Sequence, residues 1–165
     1  MKQFKEIDPL TVALDPDLVA TLIDKTDLGN TFYFLIKEGY LIIADAQIDP
    51  DDGEWLHYQI EFPKQGLSWF LDTLEGKFYK TEAEGGLPKG TFNTEGTVQG
   101  ERLKLRRAFN ADGQGGGGYA FVTLDRKEKE SVWSKSYTFT DSLLFEHGLM
   151  NVLKDLATRI KNGQI

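Results

Sequence analysis

Apolar and polar residues alternate through most of this chain and change to helical spacing in two places. Thr31-Phe-Tyr-Phe-Leu-Ile-Lys37 is rich in aromatic and β-branched residues and predicts a strand. Lys37-Glu-Gly-Tyr40 predicts a tight hairpin turn with positive φ at Gly39, and Tyr40 to Ile48 the return strand. After the turn Asp49-Pro-Asp-Asp-Gly53, Glu54 to Phe62 alternates strictly. Trp55, His57, Gln59 and Glu61 share one face, and Leu56, Tyr58, Ile60 and Phe62 the other. Such alternation predicts one buried and one wet face. Leu67, Phe70, Leu71 and Leu74 then recur at helical spacing, with Gly76 as the stop. Upstream, Leu10 to Leu14 is a β-prone run, and Leu18 to Ile23 reads as a helical turn or an extended arm.

The second half repeats the order. Lys77 to Lys80 is short enough to pair at a sheet edge, and Thr91 to Val98 reads as extended. Arg102, Lys104 and Arg106 alternate with Leu103, Leu105 and Arg107, a strand with one strongly basic face. Asn110 to Gly118 is a Gly-rich flexible turn. Tyr119 to Arg126 returns, with Tyr119, Phe121 and Thr123 on one face. Ser136 to Phe139 is the last strand. Thr140 or Asp141 is the candidate cap of a final helix striped by Leu149, Leu153, Leu156 and Ile160. The expected fold is α+β: one domain made of two antiparallel sheet-plus-helix units, about 10–76 and 91–162.

Composition narrows the setting. The chain has 165 residues, enough for a packed core, and no cysteine, which excludes a disulfide framework and thiolate chemistry. No apolar run is long enough to span a bilayer, and MKQFKEIDPL resembles neither a secretory nor a transit signal, so a cytoplasmic protein is expected. Net charge is −7, unevenly spread. Residues 1–101 carry 8 basic and 19 acidic side chains, and residues 102–165 carry 11 and 7. Such asymmetry marks a polyanion-facing side or ordinary surface statistics.

The chemistry that this pattern offers is stacking with phosphate neutralisation. Cations neutralise phosphates, and flat rings stack on unpaired bases. The candidate residues are Arg102, Lys104 and Arg106, beside Tyr119 and Phe121, with Trp55, His57 and Tyr33 on the first sheet. The competing reading places the rings in the core and the cations on a solvated face. Gly113 to Gly118 lacks the Gly-Lys-Ser/Thr of a phosphate loop, and Asp49 to Glu54 lacks the EF-hand register. His57 and His147 have no companions at metal-ligand spacing, so neither a metal nor a cofactor is expected. No nucleophilic triad or paired-carboxylate site is apparent, so catalysis is not expected.

The order of elements resembles the Whirly family of single-stranded DNA-binding proteins. The resemblance runs roughly from Leu10 to Ile160. It is carried by Pro9-Leu-Thr-Val12, by the hairpin Phe34-Leu-Ile-Lys-Glu-Gly-Tyr-Leu-Ile-Ile43, by the basic strand, Asp-Gly turn and aromatic strand of Arg102 to Leu124, and by Tyr137-Thr-Phe-Thr-Asp141 leading into an apolar helix. Of the family's Lys-Gly-Lys-Ala-Ala-Leu motif, only one Lys and the Leu have counterparts in Lys5-Glu-Ile-Asp-Pro-Leu10. The resemblance implies sheets radiating from a helical centre. It also implies single-stranded DNA, or RNA, as ligand, and a homo-oligomer, a tetramer in the family, formed through the C-terminal helix. The alternative is a protein-interaction scaffold on the same fold without nucleic acid.

Overall fold

The computed structural model describes residues 1–165. The fold is α+β, with two four-stranded antiparallel sheets. The first contains β1 (Leu18–Ile23), β2 (Thr31–Lys37), β3 (Tyr40–Ile48) and β4 (Trp55–Pro63) in sequential order. The second contains β5 (Asn93–Val98), β6 (Glu101–Ala108), β7 (Gly118–Lys127) and β8 (Ser134–Thr140), also in order. The helices are α1 (Gly66–Thr73) and α2 (Leu149–Lys161). No helix is long and apolar enough to cross a membrane.

The chain divides into two compact units, residues 1–64 with 142–165, and residues 65–141. The sequence reading grouped α1 with the sheet before it; the structure groups it with the sheet that follows. The reason is aromatic packing. Phe70 of α1 stacks on Phe121 of β7 at 4.3 Å between ring centroids. Phe121 meets Phe139 of β8 edge-on at 5.2 Å, and Phe78, just past α1, meets Tyr119 at 5.5 Å. Ring pairs of this kind add about 0.5–1.5 kcal/mol each beyond the area they bury. Gly76 does not stop the helix, which continues as a π-helical turn over Leu74–Phe78. Lys77 to Lys80 is therefore not an edge strand.

The other unit pairs the first sheet with α2. Arg159 of α2 donates to the Val19 carbonyl of β1 at 3.2 Å, and Lys64 Nζ to the Ile165 carbonyl at 3.0 Å. Glu38 and Gly39 both take positive φ, giving the tight β2–β3 turn expected. Leu18 to Ile23 is the first strand, whereas the β-prone run Leu10 to Leu14 forms a 3-10 turn at Val12–Leu14. Val12 there is buried with Leu35 and Ile42. Thr140 and Asp141 do not cap the last helix. A π-helical turn at Ser142–Glu146 precedes it, and Gly148, in the left-handed region, is its N-cap.

The Gly-rich connection between β6 and β7 is fixed by close approaches rather than free. Asp112 Oδ1 accepts from the Gln114 and Gly116 N–H groups, and Asn110 Oδ1 from Gly115 N–H. A Cβ built at Gly118 would lie 2.2 Å from the Phe139 carbonyl oxygen, so β7 starts where only glycine fits.

Helix α1 makes an equally tight approach to β5. A Cβ at Gly96 would stand 2.4 Å from Trp69 Nε1, and Trp69 is itself braced edge-on by Phe70. Gly96→Ala is expected to lower stability by about 1–3 kcal/mol in urea unfolding and to change Trp69 emission. An unchanged midpoint would show that α1 does not pack here.

Candidate nucleic-acid interface

The second unit carries the site that best combines rings with cations. Strands β5 and β6 form a hairpin in which Asn93 pairs with Arg106 at the open end. One step beyond, the Arg107 N–H donates to the Phe92 carbonyl at 2.8 Å, continuing the ladder. Phe92 and Phe109 thus flank the hairpin's end, and their rings meet edge-to-face at 4.9 Å. They remain 48% and 61% exposed, unusual for large apolar rings that already have a partner.

These rings form part of a cleft of about 730 Å³, whose lining also includes Lys77, Lys80, Lys89 and Arg107. The volume lies within the range of ligand-binding clefts. The lysines come from the π-helical turn and the segment 80–91, which is held in shape by its own acids. Glu84 accepts from Thr81 N–H and Oγ1–H at 3.0 and 2.9 Å, and those hydrogen bonds hold its carboxyl below the usual range. Glu82 accepts the Lys89 N–H at 3.1 Å. These two carboxylates are spent on the backbone of the segment.

At the back of the cleft Arg107 is fixed. Its Nη1 and Nη2 donate to Asp141 Oδ1 and Oδ2 at 2.7 and 2.8 Å, and its guanidinium lies 4.7 Å from the Tyr119 ring centroid. A two-pronged Arg–carboxylate pair of this kind is strong and directional. The Asp141 hydrogen bonds are the largest influence raising the Arg107 pKa. A Cβ at Gly117 would lie 2.2 Å from Arg107 Nη2, so the glycine run closes directly against this pair. Arg107 therefore organises the cleft, while the lysines are better placed to meet an anion.

The residues singled out in sequence scatter. Arg102, Lys104 and Arg106 do share the outward face of β6, and Arg102 and Arg106 are exposed. Arg102 is tied to Asp125, which accepts its backbone N–H at 2.8 Å and its Nε–H at 2.9 Å. Those bonds, the backbone one first, lower the Asp125 pKa. Lys104 pairs across the ladder with Glu95. Tyr119 and Phe121 are corrections: they are 7% and 0% exposed. Phe121 pairs with Leu105, which puts it on the core face, and the neighbours of Lys104 and Arg106 on β7 are Val122 and Ala120. The basic face therefore has no ring on β7. On the first sheet Trp55, His57 and Tyr33 share a face as expected, and Trp55 is 38% exposed. Glu6 stands 4.0 Å from His57, and Lys37, on the same face of β2 as Tyr33, is paired with Asp15 at 2.8 Å. Gln59 and Glu61 on the same face are buried, not wet.

Phe92, Phe109, Lys80 and Lys89 were missed. The available signal was symmetry: Phe92 lies just before β5 and Phe109 just after β6, so antiparallel pairing brings them together. No group of three His, Asp or Glu residues is placed to hold a metal ion.

No protein-family model matches the chain, and neither does any curated protein. Among solved structures it is similar to one titled for Trypanosoma brucei MRP1/MRP2, with 12% identity over 96% of this chain and 98% of that one, at a TM-score of 0.41. A likeness at that score does not by itself establish a common fold.

Tyr79, between the cleft residues Phe78 and Lys80, offers a check on the surroundings of Tyr119 and Asp141. Burial first, then the neighbouring Tyr119, Glu75 and Asp141, pushes its phenol up from 10.0 to about 12. The folded state prefers the neutral phenol, so this contribution to stability is complete below pH 10 and is lost as pH rises toward 12. Burial raises the Tyr119 phenol as well, so an ultraviolet titration should show tyrosine ionisation extending to about 12, and Tyr79→Phe should remove the part near 12. Six tyrosines ionising together near 10 would contradict the arrangement.

Proposed function

We propose that this protein binds single-stranded nucleic acid with little sequence preference, through the cleft of its second unit. The observation that carries the reading is the meeting of two half-exposed rings, Phe92 and Phe109, with Lys77, Lys80 and Lys89 on one open cleft. Unpaired bases stack on the phenylalanines, and the lysines neutralise the phosphates that follow. Stacking is indifferent to base identity because every base offers a flat face. The duplex is disfavoured because its bases are already stacked on each other. The basic outer face of β6, Arg102, Lys104 and Arg106, supplies supplementary phosphate contacts rather than the stacking platform. No reacting group is invoked.

Two further facts agree with this reading. The second unit carries 11 basic and 11 acidic side chains, against 8 and 15 in the first, so the chain's net negative charge belongs to the unit without the cleft. The order of strands, helix, strands and helix is the order on which the Whirly resemblance rests. On that reading the protein works as an oligomer assembled through α2. The scaffold reading draws on one observation of its own: Ile48, Trp55 and Leu56 are exposed apolar residues on the acidic first unit, as at a protein-binding surface.

Fluorescence anisotropy with labelled oligo-dT and a matching duplex, over a salt series, tests the proposal. Oligo-dT should bind more tightly, and Phe92→Ala or Phe109→Ala should each cost about 1–3 kcal/mol. Lys80→Glu and Lys89→Glu should each lower the slope of log affinity against log salt by about 0.7. Equal or absent binding to the two probes, or loss caused by Arg102, Lys104 and Arg106 reversal while Phe92→Ala is silent, would overturn it.

A further inference from the structure

One face of the first sheet is covered by the chain's own N-terminal segment. Residues 1–8 take no regular structure, yet they lie across the face formed by Gln59, Glu61 and Tyr40. Gln59 reads their main chain in both directions. Its Oε1 accepts the Ile7 N–H at 2.9 Å, and its Nε2 donates to the Lys5 carbonyl at 3.3 Å. Glu61 Oε1 accepts the Phe4 N–H at 3.4 Å, and its Oε2 accepts from Gln59 Nε2 at 3.2 Å. Phe4 packs on Tyr40 at 5.3 Å, and Lys2 pairs with Glu38 at 2.5 Å. A carboxamide that both accepts from and donates to an extended main chain recognises a peptide as such, whatever its side chains.

We propose that this face is a peptide-docking groove whose partner is the same segment, residues 1–7, of a second copy of the chain. Three observations support exchange. The anchors are main-chain groups, the packing of Phe4 and Ile7, and the Lys2–Glu38 ion pair, and a second copy offers all of them equally. Charge favours the segment over other peptides: residues 1–7 carry two lysines and one glutamate, on a unit whose remaining residues carry 6 basic and 14 acidic side chains. The fit is also loose, since an opening of about 420 Å³ lies between Gln3, Phe4 and Lys5 on one side and Asp17, Lys37 and Glu38 on the other. The pivot is defined. Asp8 accepts from the Leu10, Thr11 and Val12 N–H groups, and Val12 stays in the core with Leu35 and Ile42, so residues 1–7 swing from Asp8. Exchange of an identical element is a low-cost route to a dimer.

The chain has no cysteine, which makes the test clean. A full-length Phe4→Cys variant is mixed with a full-length Tyr40→Cys variant and oxidised at rising concentration, with Phe4→Cys plus the exposed Lys129→Cys as control. A disulfide-linked heterodimer from the first mixture, several-fold above the control, is expected. Heterodimer no more abundant than in the control overturns the proposal. If Tyr40→Cys does not fold, light scattering decides, at concentrations up to about 1 mM, where a tethered segment and a second copy compete. The wild-type mass should climb with concentration above the value it has when dilute, while Ile7→Asp, which puts a charge where Ile7 packs beside Val12, Leu35 and Ile42, should keep the dilute value. A wild type whose mass does not change with concentration, or an Ile7→Asp variant whose mass climbs equally, overturns the exchange. No nucleic acid enters either experiment, so its failure leaves the cleft reading intact.

Discussion

The Arg107–Asp141 pair is the constraint on which the second unit depends. It joins the end of β6 to the residue after β8, and the Asp141 N–H donates to the Gly117 carbonyl at 2.9 Å in the same corner. Through it the glycine run is pressed against β8, and Tyr119 is held beneath the guanidinium. Tyr119 then meets Phe78, at the end of the turn that follows α1. The back wall of the cleft is thus assembled from groups that cannot move independently. A two-pronged pair that is partly exposed contributes modest stability, and its main effect is geometric. It leaves Phe92, Phe109 and the lysines as the adaptable front.

The two units solve the same problem with different chemistry. In the second, aromatic contacts bury one face of the sheet and leave the other to Arg102, Lys104 and Arg106. In the first, Phe34, Ile43, Ile60 and Phe62 are fully buried on one face, while an irregular segment covers Gln59, Glu61 and Tyr40 on the opposite face. That cover explains how Gln59 and Glu61 can be buried: their hydrogen-bonding groups are met by main-chain partners and by each other.

Much of the fold was legible in the sequence because strands announce themselves by a period of two. β2 to β4 and the basic face of β6 follow directly from alternation, and the β2–β3 turn from Glu38-Gly39. What failed did so for identifiable reasons. β7 carries apolar residues on both sides, so Tyr119 and Phe121 could not be assigned a face without the register to Leu105. The partner of α1 was misjudged because proximity in sequence lost to the stacking of Phe70 on Phe121. Asp141 has the chemistry of a helix cap, but its carboxylate is taken by Arg107. Gly116 to Gly118 suggested freedom, whereas each is a place where a side chain would collide. The cleft itself draws residues from near positions 77–92, 107–109 and 119, and no local pattern connects them.

The central claim is that unpaired bases meet the rings at the open end of the β5–β6 hairpin. Amide chemical-shift mapping of the full chain with a thymidine oligomer tests this most directly. The account predicts perturbations concentrated at Lys80, Lys89, Phe92 and Phe109, with smaller ones at Arg102 to Arg106. Perturbations confined to the Trp55, His57 and Tyr33 face, or no saturable change anywhere, would contradict it.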